Sequence, residues 1–157
     1  MKTSTKYLIV ISFLLLNFSG CKKGIGTVPI PDPDTTKPII SILKPTAGQS
    51  FVAGNTIAFQ ATFSDNVKLK SYEIAISKVV TGGLTLKIVP ASVPFSYTKA
   101  TSSFGLDVKQ QEINLSDIVI TSNTVTTIVT PGKYNLKVMC VDASNNSSET
   151  TLEININ

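Results

Sequence analysis

The sequence predicts an all-β fold, built either as a sandwich or as a barrel. Apolar and polar residues alternate with a period of two in several short segments, most regularly over residues 57–63 and 134–140. Turn-forming residues separate these segments at the spacing of about 8–12 residues that is typical of sandwiches and barrels. No segment combines the period of an amphipathic helix with capping residues at both ends. These three observations favour short strands throughout.

The first half of the pattern contains four predicted strands. The first strand ends near Pro45, and turns at 46–49 and 53–55 lead to the next one. The two strands that follow each have one apolar face, made of Ile57, Phe59, Ala61 and Phe63 and then of Tyr72, Ile74 and Ile76. A hairpin-type break at 81–83 precedes the fourth strand at 84–89.

The second half contains an unusually long middle region and two regular closing strands. The apolar faces of the closing strands are Tyr134, Leu136, Val138 and Cys140, and Leu152, Ile154 and Ile156. Residues 90–131 exceed what two ordinary strands and their turns require. Four segments there have strand character, at 93–98, 105–115, 117–121 and 125–129. We expect an extra hairpin or an enlarged loop, which is where a rigid sandwich often carries binding residues.

The composition of the 157 residues argues against catalysis and against nucleic-acid binding. The chain has no His, which removes the commonest proton shuttle and every Ser–His or Cys–His pair. It also has no Gly-x-Ser-x-Gly turn, no phosphate-binding glycine loop and no Cys-x-x-Cys pair. Its 14 lysines exceed its 10 acidic residues only slightly and form no basic stripe. We therefore expect a non-enzyme that needs no cofactor, unless it is the calcium considered below.

Residues 1–20 have the order of a bacterial signal peptide. Two lysines precede an apolar run at 7–16, which is shorter than the roughly 20 residues that span a bilayer. The sequence Phe-Ser-Gly before Cys21 resembles the lipobox of Bacteroidetes-type lipoproteins. This resemblance implies that Cys21 is acylated and anchors an exported protein in the outer membrane, on its periplasmic or its surface face. An ordinary signal peptide followed by a chance Cys is the alternative.

Residues 21–37 are the predicted lipidated Cys and a tether. Prolines at alternate positions over 29–33 favour an extended chain. The 16-residue spacer reaches about 50 Å if it is fully extended as polyproline II, at about 3.1 Å per residue. Asp34-Thr35-Thr36 resembles an acceptor for protein O-glycosylation in Bacteroidetes, which implies a glycan on Thr35. A plain linker is the alternative.

Acylation of Cys21 leaves Cys140 without a disulfide partner in the chain. Cys140 shares the apolar face of residues 134–140, so we expect a core residue. A catalytic thiol would need an activating His or cation beside it.

Several segments resemble bacterial Ig-like domains, and they lie at both ends of the domain. These segments are 37–45, 51–57 and 63–65 at the beginning, and 132–138 and 141–146 at the end. The resemblance implies an Ig-like β-sandwich of about 7–9 antiparallel strands over residues 38–157, with an enlarged middle region. The chain is similar to small lipoproteins that carry one such domain. We interpret it as a structural or protein-interaction module of the cell envelope, with a glycan-binding accessory module as the alternative.

The glycan alternative depends on one aromatic cluster of the long middle region. Phe95, Tyr97 and Phe104 lie in sequence near Lys99 and Asp107. Because sugar binding uses exposed aromatic rings beside polar side chains, these three rings are the candidate glycan contacts. Packing of the same rings in the core is the alternative.

The topology of an Ig-type sandwich places several polar side chains at one end of the domain. Asp65 follows the second long strand, Asp142 and Asn146 belong to the last hairpin, and Asp34 enters at the same end. Carboxylate and amide oxygens are ligands of Ca²⁺, which takes about 6–8 oxygens. We therefore predict that these side chains converge, and their binding of Ca²⁺ is a hypothesis. The alternative is that each of them only caps its own turn.

Overall fold

The computed structural model describes residues 32–80, 92–121 and 128–157. Residues from Pro33 to Asn157 form one compact unit, which includes the last residues of the predicted tether. The predicted signal peptide, Cys21 and the strand expected at 84–89 lie outside the described residues.

The described residues form ten β-strands and no helix. The strands are β1 (Ile39–Lys44), β2 (Ser50–Phe51), β3 (Thr56–Ser64), β4 (Leu69–Lys78), β5 (Ser92–Val93), β6 (Tyr97–Thr101), β7 (Gln110–Val119), β8 (Ile128–Val129), β9 (Gly132–Asp142) and β10 (Ser147–Ile156). Seven of these strands have five or more residues. The prediction of an all-β sandwich is confirmed. Within the three described ranges, the chain has no helix with the length and apolar character of a membrane span.

Two sheets form the sandwich. One sheet has the strand order β1-β3-β7, and the other has the order β2-β10-β9-β4-β6. Neighbouring strands in both sheets are antiparallel, except that the short β2 pairs in parallel with β10. The two-residue strands β5 and β8 form a separate parallel pair. This arrangement brings the loop between β3 and β4 to the same end of the sandwich as the loop between β9 and β10.

The period-two alternation of the sequence explains the core. The alternate apolar residues predicted to face inward in β3, β4 and β9 are all buried, and they share one cluster with Ile154 and Ile156 of β10. The cluster includes residues of both sheets, so the inner faces of the sheets pack against each other. Burial of this continuous apolar surface is the main stabilising contribution to a domain of this kind.

The hydroxyl group of Tyr134 bonds to the backbone of the segment that precedes β9 and to the backbone of the middle region. The hydroxyl donates a hydrogen bond to the carbonyl oxygen of Thr130 at 2.5 Å and accepts one from the backbone N–H of Phe95 at 3.2 Å. A buried Tyr near the start of this strand, bonded to backbone a few residues upstream, is the tyrosine corner of Ig-like sandwiches. The contact ties the middle region to the core of the domain.

The middle region differs from the prediction in two places that the structure describes. Residues 93–98 were expected to be one strand, but they hold the end of β5 and the start of β6, with residues 94–96 in neither. The strands expected at 105–115 and 117–121 are one strand, β7, which pairs along the whole length of β3. The pairing shifts between Ile57 and Phe59, where Ser116 and Asp117 lie between the residues that pair with these two positions. This is a β-bulge, and its extra residue interrupts the alternation that sequence reading relies on.

Candidate metal centre

Three segments that are distant in sequence meet at one end of the sandwich. They are the N-terminal segment 33–37, the β3–β4 loop at 65–68 and the β9–β10 turn at 143–146. Hydrogen bonds join the first segment to each of the other two. The structure therefore brings Asp34, Asp65, Asp142 and Asn146 to one place.

Asp65 organises the β3–β4 loop. One of its carboxylate oxygens, Oδ2, accepts the backbone N–H groups of Val67 at 2.8 Å and Lys68 at 2.7 Å. These bonds turn the chain sharply after β3 and supply acceptors for two loop amides.

Asp142 does the same for the turn between β9 and β10. Its Oδ1 accepts the backbone N–H of Asn146 at 2.8 Å, and its Oδ2 accepts the Asn146 side-chain amide at 2.7 Å. Asn145 has a φ of 69°, a left-handed conformation that Asn adopts more readily than most residues. The Asp142 side chain is completely buried.

Asp34 caps the end of the tether. Its Oδ1 accepts the backbone N–H of Thr36 at 3.0 Å and the side-chain amide of Asn66 at 3.1 Å. The Thr36 bond, followed by the Asn66 bond, lowers the pKa of Asp34 below its ordinary value. Asp34 is therefore an anion at neutral pH.

Turn capping does not account for all of the carboxylate oxygens. Oδ2 of Asp34 and Oδ1 of Asp65 are buried and have no hydrogen-bond partner. One oxygen each from Asp34, Asp65 and Asp142 lies within 4.8 Å of the others. Three carboxylates this close repel one another, and burial of an anionic oxygen without a donor is unfavourable.

Lysine side chains do not neutralise this cluster. In the described part of the chain, the ion pairs of lysine go to Asp107, Asp117, Glu149 and Glu153. Two lysines near the cluster contact neutral groups, since Lys70 donates to Asn145 Oδ1 at 2.6 Å and Lys109 donates to the Asn66 carbonyl at 3.0 Å. The carboxylates thus lie at the same end as these lysines without forming an ion pair with them.

Asn146 has a different role from the predicted one. Its side-chain nitrogen, rather than its oxygen, faces the cluster, and it donates to the carbonyl oxygens of Asp34 at 3.1 Å and Thr36 at 3.2 Å as well as to Asp142. An amide that donates in this way fastens the tether and orients Asp142 but supplies no metal ligand. The candidate ligands are therefore the three carboxylates.

Sequence reasoning missed two contributors to this cluster. The Asn66 side chain was not predicted to donate to Asp34, and the backbone N–H of Thr36 was not predicted to be the group that Asp34 caps. The sequence does indicate the bond between Asp34 and Thr36, because an Asp side chain often accepts the backbone N–H two residues later in an Asx turn.

The aromatic cluster does not form the exposed platform that sugar binding needs. Phe95 is only 4% exposed, and Tyr97 and Phe104 are half-buried against the core. Phe104 contacts Phe63 and Tyr72, with ring centroids 5.7 and 5.3 Å apart. Core packing therefore accounts for these rings, and the structure gives no support to the predicted glycan contacts.

Two further predicted sites lie within the described residues. Thr35 is exposed and lies between Asp34 and Thr36, whose backbone N–H donates to the Asp34 side chain. Glycosylation of Thr35 stays a prediction. Cys140 is completely buried, and burial, followed by the negative charge of Asp65, raises the pKa of its thiol to about 11. The thiol is therefore protonated at neutral pH and behaves as a core side chain. The predicted lipidation site, Cys21, lies outside the described ranges.

A family model described as "Domain of unknown function (DUF4625)" matches residues 26–157. The chain belongs to this family. The DUF4625 match includes the whole compact unit and all three clustered carboxylates. No curated protein matches the chain.

Several solved structures resemble the DUF4625 chain. One is described as structures of the fibronectin(III)-like modules of CbhA from Clostridium thermocellum, with a TM-score of 0.40, 19% identity, and coverage of 75% of this chain and 94% of that chain. Another is a β-glucosidase from Listeria innocua in complex with glucose, with a TM-score of 0.36, 10% identity and coverage of 76% of this chain. A complex of that enzyme with isofagomine gives a TM-score of 0.35 and 11% identity. The chain spans 16% of the β-glucosidase chains.

Proposed function

We propose that the chain is an exported, lipid-anchored module of the cell envelope that acts through contacts of its β-sandwich and not through catalysis. Cys21 carries the lipid in this proposal, and the following residues connect it to the domain. The domain then engages an envelope or surface protein. A DUF4625 domain with an Ig-like sandwich fold is compatible with this role.

The observation that carries the proposal is the attachment of the tether end to the domain. The Asn146 amide donates to the carbonyl oxygens of Asp34 and Thr36, and the Asn66 amide donates to Asp34. Hydrogen bonds at the point where the spacer enters the domain restrict rotation of the domain relative to the spacer. This arrangement suits a module whose task is to hold a binding surface in place.

The side-chain chemistry supports a non-catalytic role. The chain has no His, and the thiol of Cys140 is buried with a pKa raised to about 11. Within the described ranges, the carboxylate cluster is the only group of three or more acidic side chains close enough to share a ligand, and each of its members caps a turn. A nucleophile activated by a neighbouring base therefore has no counterpart among these residues.

The anchor is tested in cells with a Cys21→Ala variant and a matched Cys140→Ala control. We expect Cys21→Ala to lose incorporation of labelled fatty acid and to leave the membrane fraction. Cys140→Ala should keep both properties, because Cys140 is a core residue. Continued membrane fractionation of Cys21→Ala would overturn the anchor.

The interaction role is tested by chemical cross-linking of intact cells. We expect wild-type chains to give a defined cross-linked species that Cys21→Ala chains do not give, because the variant is no longer held at the envelope. Absence of any cross-linked species from wild-type cells at several linker lengths would contradict a docking module.

A further inference from the structure

We propose that Asp34, Asp65 and Asp142 together bind one Ca²⁺ ion at the point where the tether joins the sandwich. One oxygen from each carboxylate lies within 4.8 Å of the others. Oxygens that bind the same Ca²⁺ at 2.3–2.6 Å are at most about 5 Å apart. The spacing of the three carboxylates is therefore compatible with one shared ion.

The buried oxygens without partners separate this site from simple turn capping. Each Asp uses at least one oxygen to accept a backbone N–H in its own segment. A residue that only caps a turn can leave its second oxygen in water, but Asp34 Oδ2 and Asp65 Oδ1 are buried and unpaired. The two residues come from segments 31 residues apart in sequence, and one oxygen of each lies within 4.8 Å of an oxygen of the completely buried Asp142. A cation is the partner that such a set of oxygens lacks.

The ligand chemistry favours calcium over other metals. Three carboxylates form a hard oxygen site, whereas zinc, copper and nickel sites use His or Cys, and the chain has no His. Mg²⁺ requires shorter bonds of about 2.0–2.1 Å in near-ideal octahedral geometry. Ca²⁺ accepts irregular ligand sets from flexible loops and completes its coordination with water.

Binding of the ion would stabilise the junction beyond the hydrogen bonds already described. Residues 33–37 pair with no strand, and the amides of Asn66 and Asn146 are what hold them among the described residues. An ion shared by Asp34 and the two loops adds direct bonds between this segment and both sheets. This inference goes beyond the envelope role proposed above and does not depend on acylation of Cys21.

A site-resolved titration tests the proposal on the full chain, purified in detergent and freed of metal by a chelating resin. CaCl₂, MgCl₂ and ZnCl₂ are added separately while the amide NMR signals of Thr36, Val67 and Asn146 are followed. We expect Ca²⁺ to shift all three signals along one saturable curve with a Kd of about 10⁻⁴ to 10⁻³ M, the range of extracellular modules.

Variants connect this response to the carboxylates. Asp34→Asn and Asp65→Asn keep an oxygen for each turn, and each should weaken Ca²⁺ binding at least tenfold. The control is Asp117→Asn, since Asp117 is an exposed carboxylate on β7 that pairs with Lys99 outside the cluster. It should bind Ca²⁺ as the wild type does. A circular dichroism spectrum checks that each variant is folded.

Three results would overturn the proposal. The amide signals could stay unchanged up to 10 mM CaCl₂, or Asp34→Asn and Asp65→Asn could bind Ca²⁺ with wild-type affinity. An equal affinity for Mg²⁺ or Zn²⁺ would overturn the assignment to calcium.

Discussion

The tether end of the domain and the long middle region both contain side chains suited to binding, but the structure uses the two sets differently. At the tether end, three carboxylates from distant segments converge and leave two buried oxygens unpaired. In the middle region, Phe95 is buried and Phe104 packs against Phe63 and Tyr72. The carboxylates still have oxygens that can bind a ligand, whereas the aromatic rings pack in the core.

The difference follows from the chemistry of the side chains. Transfer of an aromatic ring out of water is favourable, so packing in the core is enough to explain where these rings lie. Burial of a carboxylate is unfavourable unless hydrogen-bond donors or cations surround it. Buried polar atoms without partners are therefore stronger indications of a ligand than aromatic residues near charged ones.

The largest expected effect is the loss of stability caused by Phe95→Ala. This ring is 4% exposed and packs beside Tyr134 at a centroid distance of 6.4 Å. Because the truncation leaves a cavity, we expect the free energy of unfolding to fall by about 3 kcal/mol in urea denaturation. Leu106→Ala is the control, since Leu106 is 89% exposed and should change stability little. Wild-type stability of Phe95→Ala would contradict a core role for the aromatic cluster.

A smaller effect is expected for Tyr134→Phe, which keeps the ring and removes the hydroxyl. The substitution leaves the Phe95 N–H and the Thr130 carbonyl without their partner, at 3.2 and 2.5 Å respectively. We expect a loss of about 1–2 kcal/mol in the same denaturation experiment. No loss would show that the middle region is not fastened to the core by this corner.

The smallest effect concerns Glu112, an exposed carboxylate outside the cluster. Its Oε1 accepts the amides of Gln60 at 2.8 Å and Asn114 at 3.0 Å, and the Asn114 bond, then the Gln60 bond, lowers its pKa below 4.5. A pKa depressed by folding stabilises the domain above the unfolded-state pKa, and the gain is lost as the pH falls through the folded-state pKa. An NMR titration of the Glu112 carboxyl carbon should give a pKa below 4.5 that Ca²⁺ does not change. A shift of this signal by Ca²⁺ would mean that exposed carboxylates in general respond to the ion.

The sequence was sufficient for the buried faces of three long strands and for the convergence at the tether end. The alternation in β3, β4 and β9 identified the buried faces, because period two has only one phase that buries the apolar residues. The topology of an Ig-like sandwich then placed the loops carrying Asp65 and Asp142 at one end. Neither prediction needed knowledge of individual contacts.

Other features depend on contacts that no sequence pattern encodes. The bulge at Ser116 and Asp117 changed the phase of the alternation and made β7 resemble two strands. The role of Asn146 depends on which end of its amide meets three acceptor oxygens, and this is fixed only by the folded chain. Which carboxylate oxygens stay unpaired also follows from the geometry of the assembled loops.

The most direct test of the difference between the two regions is a crystal structure of the chain grown with CaCl₂, with anomalous scattering data collected for calcium. We expect one anomalous peak bound by Asp34 Oδ2, Asp65 Oδ1 and an oxygen of Asp142, and no peak near Phe95 or Phe104. A map without a peak at the three carboxylates, or with a lysine ammonium among them, would show that the cluster binds no Ca²⁺.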